Sequence, residues 1–234
     1  MNMRMPLGAS LAIAVAASAQ GAMSGNAYEV GYAWSGTDFG GTAVSGYVVD
    51  LYLEIDAADV LLNVYNFNDV NLGTTYFQGL TAAGWTPNEQ GSIFTTEVSQ
   101  NFDSFVSIGG TGALSGNPLQ MGSNGVATDP NFGGNNAAGP GANGGWYNGN
   151  PNNLIGAAQD LTAVGLDGKI GVFIGRFSQA GSDGFSMIGS IGEATFNQGL
   201  GTAGQQDSFT VVEIPAPGAL ALLGLAGLAA RRRR

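Results

Sequence analysis

Apolar and polar residues alternate with period two along most of this chain, and no convincing run repeats at the 3.6-residue spacing of a helix. In Tyr47-Val-Val-Asp-Leu-Tyr-Leu-Glu-Ile55 the side chains of Tyr47, Val49, Leu51, Leu53 and Ile55 fall on one face, and those of Asp50, Tyr52 and Glu54 on the other. The first set is expected to meet a core and the second to meet water. Further strands are predicted at Glu29–Trp34, Val60–Phe67, Ser92–Val98, Ser104–Ile108, Ile170–Phe177, Phe185–Phe196 and Ser208–Ile214. The segment Ala180-Gly-Ser-Asp-Gly184 marks a hairpin, because its residues tolerate positive φ. About eight or nine strands is more than one open sheet usually carries without splitting. The expected fold is therefore all-β: one domain over residues 20–214, built as an antiparallel two-sheet sandwich or jelly roll.

Composition agrees with strands and removes most chemistry. Glycine supplies 40 of 234 residues, and charged residues only 10%. With no Cys and no His, the chain has no thiolate nucleophile, imidazole base, Cys/His zinc site or disulfide. Its charge is also unevenly spread. Arg4 and Arg231, Arg232, Arg233 and Arg234 lie at the ends, so Lys169 and Arg176 alone face the 17 Asp and Glu that fall between Glu29 and Glu213. Such a body repels phosphate backbones, which excludes nucleic acid as a partner, and its Asn/Gly/Thr/Ser richness suits life outside the cell.

Residues 122–153 break the pattern, with nine Gly and nine Asn in 32 positions. They bury little apolar area and carry high backbone entropy, so a long surface loop is expected. Trp146 and Tyr147 stand out there, as aromatics where the sequence offers no core. Exposed rings beside Asn amides suit a sugar, whose C–H face packs on the ring while its hydroxyls bond to the amides, so the two are the candidate glycan contacts.

Other constellations are weaker. Glycoside hydrolysis needs two carboxylates across a cleft. The nearest pair, Asp56 and Asp59, flanks a tight turn, where acidic residues are ordinary. Asn66, Asn68, Asp69 and Asn71, and again Asp129 with Asn131, offer oxygen atoms but no spaced calcium-loop pattern, so turn and cap roles are expected. Gly109-Gly-Thr-Gly112 lacks the lysine and helix of a phosphate loop. No catalytic residue, metal or cofactor is assigned.

The two ends carry the most specific signals. Residues 1–19 read as a secretion leader: Arg4, the apolar run Pro6–Ala16, then Ala17-Ser18-Ala19, with cleavage expected after Ala19. That run is far short of the roughly 20 residues a spanning helix needs. At the other end Pro215-Ala216-Pro217 stops secondary structure. An apolar stretch with Leu220, Leu222, Leu223, Leu225 and Leu228 follows, then four arginines. In lipid that stretch must become a helix to satisfy its backbone, and the arginines hold its far end in the cytoplasm. Its length is marginal for permanent anchoring, so transient membrane retention is expected. Both targeting segments are thus expected to be helical.

In residues 215–234 the chain resembles the PEP-CTERM sorting signal, a Pro-x-Pro motif, a Leu/Gly/Ala-rich segment and an Arg cluster, with Ala216 in place of the middle Glu. The resemblance implies that an exosortase, a transpeptidase-like membrane protease, removes the helix and arginines. The body is then released or attached at the cell envelope or in its exopolysaccharide matrix. The expected function is that of a non-catalytic bacterial surface or matrix protein handled by the secretion machinery, and the competing one a carbohydrate-binding or glycan-acting protein.

Overall fold

The computed structural model describes residues 23–37, 41–78, 84–86, 101–110, 125–133, 139–150, 152 and 154–214. The leader (1–19, with Ala17 and Ala19), the predicted strand Ser92–Val98 and the whole sorting segment (215–234) lie outside them. Among the described residues no helix is long and apolar enough to cross a membrane.

The described residues contain ten strands: β1 (Asn26–Thr37), β2 (Ala43–Glu54), β3 (Val60–Asn68), β4 (Phe105–Val106), β5 (Val126–Thr128), β6 (Gly144–Asn148), β7 (Gln159–Asp160), β8 (Ile170–Ala180), β9 (Ile191–Asn197) and β10 (Gln205–Val212). The all-β expectation holds. In place of two antiparallel sheets, hydrogen bonds join the strands into one sheet of order β4-β8-β2-β1-β10-β9-β3-β6-β5, with β7 also on β8. The sheet is mixed, because β1 and β10 run parallel while the other pairs are antiparallel.

Curling lets so many strands share one core. Register shifts at Leu51/Tyr52 in β2, and at Leu61/Asn63 and Tyr65/Asn68 in β3, bend the strands as bulges do. Asn66 takes φ 50° within the second β3 shift. The inner face carries Val49, Leu51 and Leu53 of β2, Leu61, Val64 and Phe67 of β3, Ile174 and Phe177 of β8, and Phe209 and Val211 of β10. Phe67 of β3 stacks on Phe177 of β8 at 6.2 Å between ring centroids, though many strands separate them along the sheet. Tyr76 and Trp85 pack edge-on and tilted against the same Phe177 ring. The segment 154–160 laces the gap: Ala157 bridges Val60, Leu61 N–H donates to the Gly156 carbonyl at 2.8 Å, and β7 pairs with β8. Glycine is required at 156, where a Cβ would overlap the Leu61 carbonyl.

Three expectations need correction. The Ala180–Gly184 segment closes no hairpin, because β8 pairs with β2, β4 and β7 while β9 pairs with β10 and β3. Asp50 and Tyr52 do not face water. A second apolar cluster of Tyr28, Tyr52, Phe105, Leu161, Val164, Leu166 and Phe173 lies on the outer face of β1, β2 and β8, and the 3₁₀ turn Thr162–Val164 helps to roof it. Residues 122–153 are not simply a loop either. They contain β5, the 3₁₀ turn Pro130–Phe132 and β6, which extend the sheet past β3. Three apolar anchors, Val126, Phe132 and Trp146, reach the core, and glycine lets the backbone lie close between them. A Cβ at Gly145 would stand 2.9 Å from the Val64 carbonyl.

Candidate functional site

Trp146 and Tyr147 are consecutive on β6, so their side chains take opposite faces. Trp146 points inward and is 1% exposed. It sits edge-on to Phe67 and Phe132, and its indole N–H donates to the Ser107 carbonyl at 2.9 Å. Its ring offers no face to a sugar, which corrects the expectation for that residue. Tyr147 is 44% exposed and points outward, opposite Asn63 on β3 and Ala127 on β5.

Tyr147 stands on a polar sheet surface formed by the outer faces of β10, β9, β3 and β6. Here Glu193 is opposite Tyr65 and Ser208, and Thr195 is opposite Asn63 and Gln206. The Asn66 amide donates to Glu193 Oε1 at 3.2 Å. Asn68 and Asn143 exchange two hydrogen bonds: the Asn68 amide donates to Asn143 Oδ1 at 3.0 Å, and Asn143 N–H to Asn68 Oδ1 at 3.1 Å. Burial, and then the Glu193 carboxylate, push the Tyr65 hydroxyl up from its ordinary pKa. An open groove of about 480 Å³ runs among Asn66, Asn68, Asn143, Glu193, Ser208 and Thr210. The exposed Ile191 adds an apolar edge. The groove lining holds amides, hydroxyls and one carboxylate, a set suited to hydrogen-bonding a neutral polyhydroxylated ligand.

The other oxygen-bearing candidates do local work. Asp69 is buried; its Oδ1 accepts from Asn71 N–H at 2.7 Å and its Oδ2 from the Tyr76 hydroxyl. Burial, then that carboxylate, push the Tyr76 pKa far up. The Asn71 amide donates to the Ser186 carbonyl at 2.8 Å, tying the turn after β3 to the loop before β9. Asp129 caps the Pro130–Phe132 turn, with Oδ1 accepting from the N–H groups of Asn131 and Phe132, each at 3.0 Å. Gly109 and Gly110, the described part of the glycine run, both take positive φ beside β4, and Gly109 N–H donates to the Phe173 carbonyl at 2.9 Å.

Two ion pairs use both cations of the body. Arg176, wholly buried on β8, lies opposite Asp50 on β2: Nε donates to Oδ1 at 2.7 Å and Nη2 to Oδ2 at 2.8 Å. Burial disfavours the charged guanidinium, but the Asp50 charge and hydrogen bond, with Tyr32 and Tyr52, together outweigh it and the Arg176 pKa rises. Lys169 Nζ meets Glu54 Oε1 at 3.0 Å, where Glu54 also accepts from the hydroxyls of Tyr28 and Ser24. Burial works against the Glu54 carboxylate, yet these hydrogen bonds hold it below its ordinary pKa. The signal for the Asp50–Arg176 pair was available, since each is the one charge inside an otherwise apolar strand core.

Comparison with protein-family models, with curated proteins and with solved structures finds no match to this chain.

Proposed function

We propose that the chain is an exported bacterial surface or extracellular-matrix protein with a non-catalytic β body. The leader 1–19 delivers it, the 215–234 segment holds it briefly at the membrane, and an exosortase-type protease then processes it. One observation carries this reading: the order Pro215-Ala216-Pro217, apolar run, four arginines after an acidic body. The fold suits such processing. β10 is flanked by β1 and β9 and ends at Val212, and Ile214 still packs on the outer apolar cluster. A cut beyond Pro217 therefore removes nothing from the described core. We also read the curled sheet as sandwich-like in section, with Phe67 against Phe177 in support. Mass spectrometry of the surface fraction is expected to find no peptide from Leu220 to Arg234; the tail on mature protein would overturn the processing.

The second reading, a carbohydrate-binding protein, is favoured by the bare polar face with Tyr147 and the Asn66, Asn143 and Glu193 groove. Binding suits it better than hydrolysis, because one carboxylate lines the groove where hydrolysis takes two. A glycan array with the intact chain and with Tyr147→Ala tests it. Binding that weakens in the variant supports it; no binding at millimolar glycan removes it.

A further inference from the structure

Asp59 is the residue before β3, at the end of the Asp56-Ala-Ala-Asp59 turn, with its N–H donating to the Asp56 carbonyl at 2.9 Å. Neighbours close over it. Ala158 N–H donates to the Asp59 carbonyl at 3.1 Å, and the adjacent Val60 is bridged by Ala157 on one side and paired with Asn197 on the other. The residue is 1% exposed, and neither carboxylate oxygen accepts a hydrogen bond. The Gln198 side chain and the Asp56 backbone N–H approach closely enough to favour the charged form, but neither completes a hydrogen bond. Burial first, and the Asp56 carboxylate second, raise the Asp59 pKa. A buried carboxylate in this condition is among the costlier defects a fold can carry, and it calls for a neutralising partner.

The two cations among the described residues do not supply one. Lys169 is held by Glu54 and Arg176 by Asp50, each within 3.0 Å. We propose that Asp59, together with Asp56 and a Gln198 amide turned so that its oxygen replaces its N–H toward Asp59, binds a hard divalent cation of calcium type. The charge argument is direct. One proton would neutralise one carboxylate and leave its neighbour charged, whereas a divalent ion balances both. The donor set fixes the class of ion. The chain has no His or Cys, so every ligand is oxygen, which suits calcium or magnesium and not zinc or copper. Among the described residues no three acidic side chains converge, so amide oxygen and water complete the shell. Calcium accepts such an irregular set, whereas magnesium demands a near-octahedral one. Gln198 lies just past β9 in a loop closed by its own N–H donating to Thr202 Oγ1 at 2.9 Å, so the ion would tie the β2–β3 turn to the β9–β10 loop.

The test is thermal unfolding and titration calorimetry of the full chain after chelator treatment, with calcium chloride or magnesium chloride as the probe. Calcium at 100 times its Kd should raise the Tm by roughly 5–10 °C, with one binding event in calorimetry. Asp59→Asn should abolish both effects, and Asp56→Asn should weaken binding at least tenfold while the chain stays folded. Asp183→Asn, an exposed acid beside Trp34 and Ser45 at the far end of β2, should change neither. No calcium response in the wild type, or an equal response in Asp59→Asn, overturns the proposal. So does a wild-type Tm that falls as pH rises through the carboxylate range and ignores calcium, because a proton is then the partner.

Discussion

The two halves of the sheet share one core but treat their outer faces in opposite ways. On β1, β2 and β8 the outward residues Tyr28, Tyr52 and Phe173 are roofed by Leu161, Val164 and Leu166, and the face includes a buried ion pair. On β10, β9, β3 and β6 the outward residues are Ser208, Thr210, Glu193, Thr195, Asn63, Tyr65 and Tyr147, and no cluster of buried apolar residues covers them among those described. Both halves send inner-face side chains into the one core, so the inner face cannot distinguish them. The outer side distinguishes them. A strand buried on both faces is committed to structure, while one with a bare polar face keeps a surface that can be used.

If that contrast is physical, the largest loss should come from the covered face. Arg176→Met leaves Asp50 buried without its charge partner and should cost about 3–5 kcal/mol in denaturant unfolding. The double variant Asp50→Leu with Arg176→Met should lose much less, since paired replacement by apolar groups removes the stranded charge. Equal losses in the two variants would mean that the covered face is held by packing alone.

This same face marks where the sequence stopped being legible. Period two located the long strands but not the short β5, β6 and β7, because alternation follows from pleat geometry and needs several residues to show. It could not say that Asp50 and Tyr52 would be roofed, because the covering residues Leu161–Leu166 are more than 100 positions away and carry no strand pattern. The same limit applied to Trp146. Its neighbours are Gly and Asn, and the rings it packs on, Phe67 and Phe132, belong to other segments. Tyr147 was readable as an exposed aromatic, but the polar face around it is assembled from four strands that only the sheet order brings together.

A smaller effect should appear as pH dependence. Glu54 has its folded pKa lowered by the Tyr28, Ser24 and Lys169 donors against the effect of burial. Its contribution is present above the ordinary glutamate pKa and is lost as pH falls through the lowered folded value. Asp59 has the opposite sign: its raised folded pKa favours the fold at low pH and withdraws that support as pH rises through the carboxylate range. In metal-free buffer Glu54→Gln should therefore flatten the acid limb of a Tm–pH profile. An unchanged limb would place the acid sensitivity elsewhere.

The smallest effect on stability belongs to the open face, and there a small number is the informative result. Tyr147 makes cross-strand contacts with Asn63 and Ala127 but is 44% exposed, so Tyr147→Ala should cost no more than about 1 kcal/mol. A large aromatic kept on a surface where its removal barely affects the fold is not there for the fold. Should the variant lose 3 kcal/mol or more, a value on the order of that for a buried aromatic, the outer surface at β6 is part of the packing and the two halves are alike. Should it remain folded and lose glycan binding, the difference between the halves is the difference between a wall and a working surface.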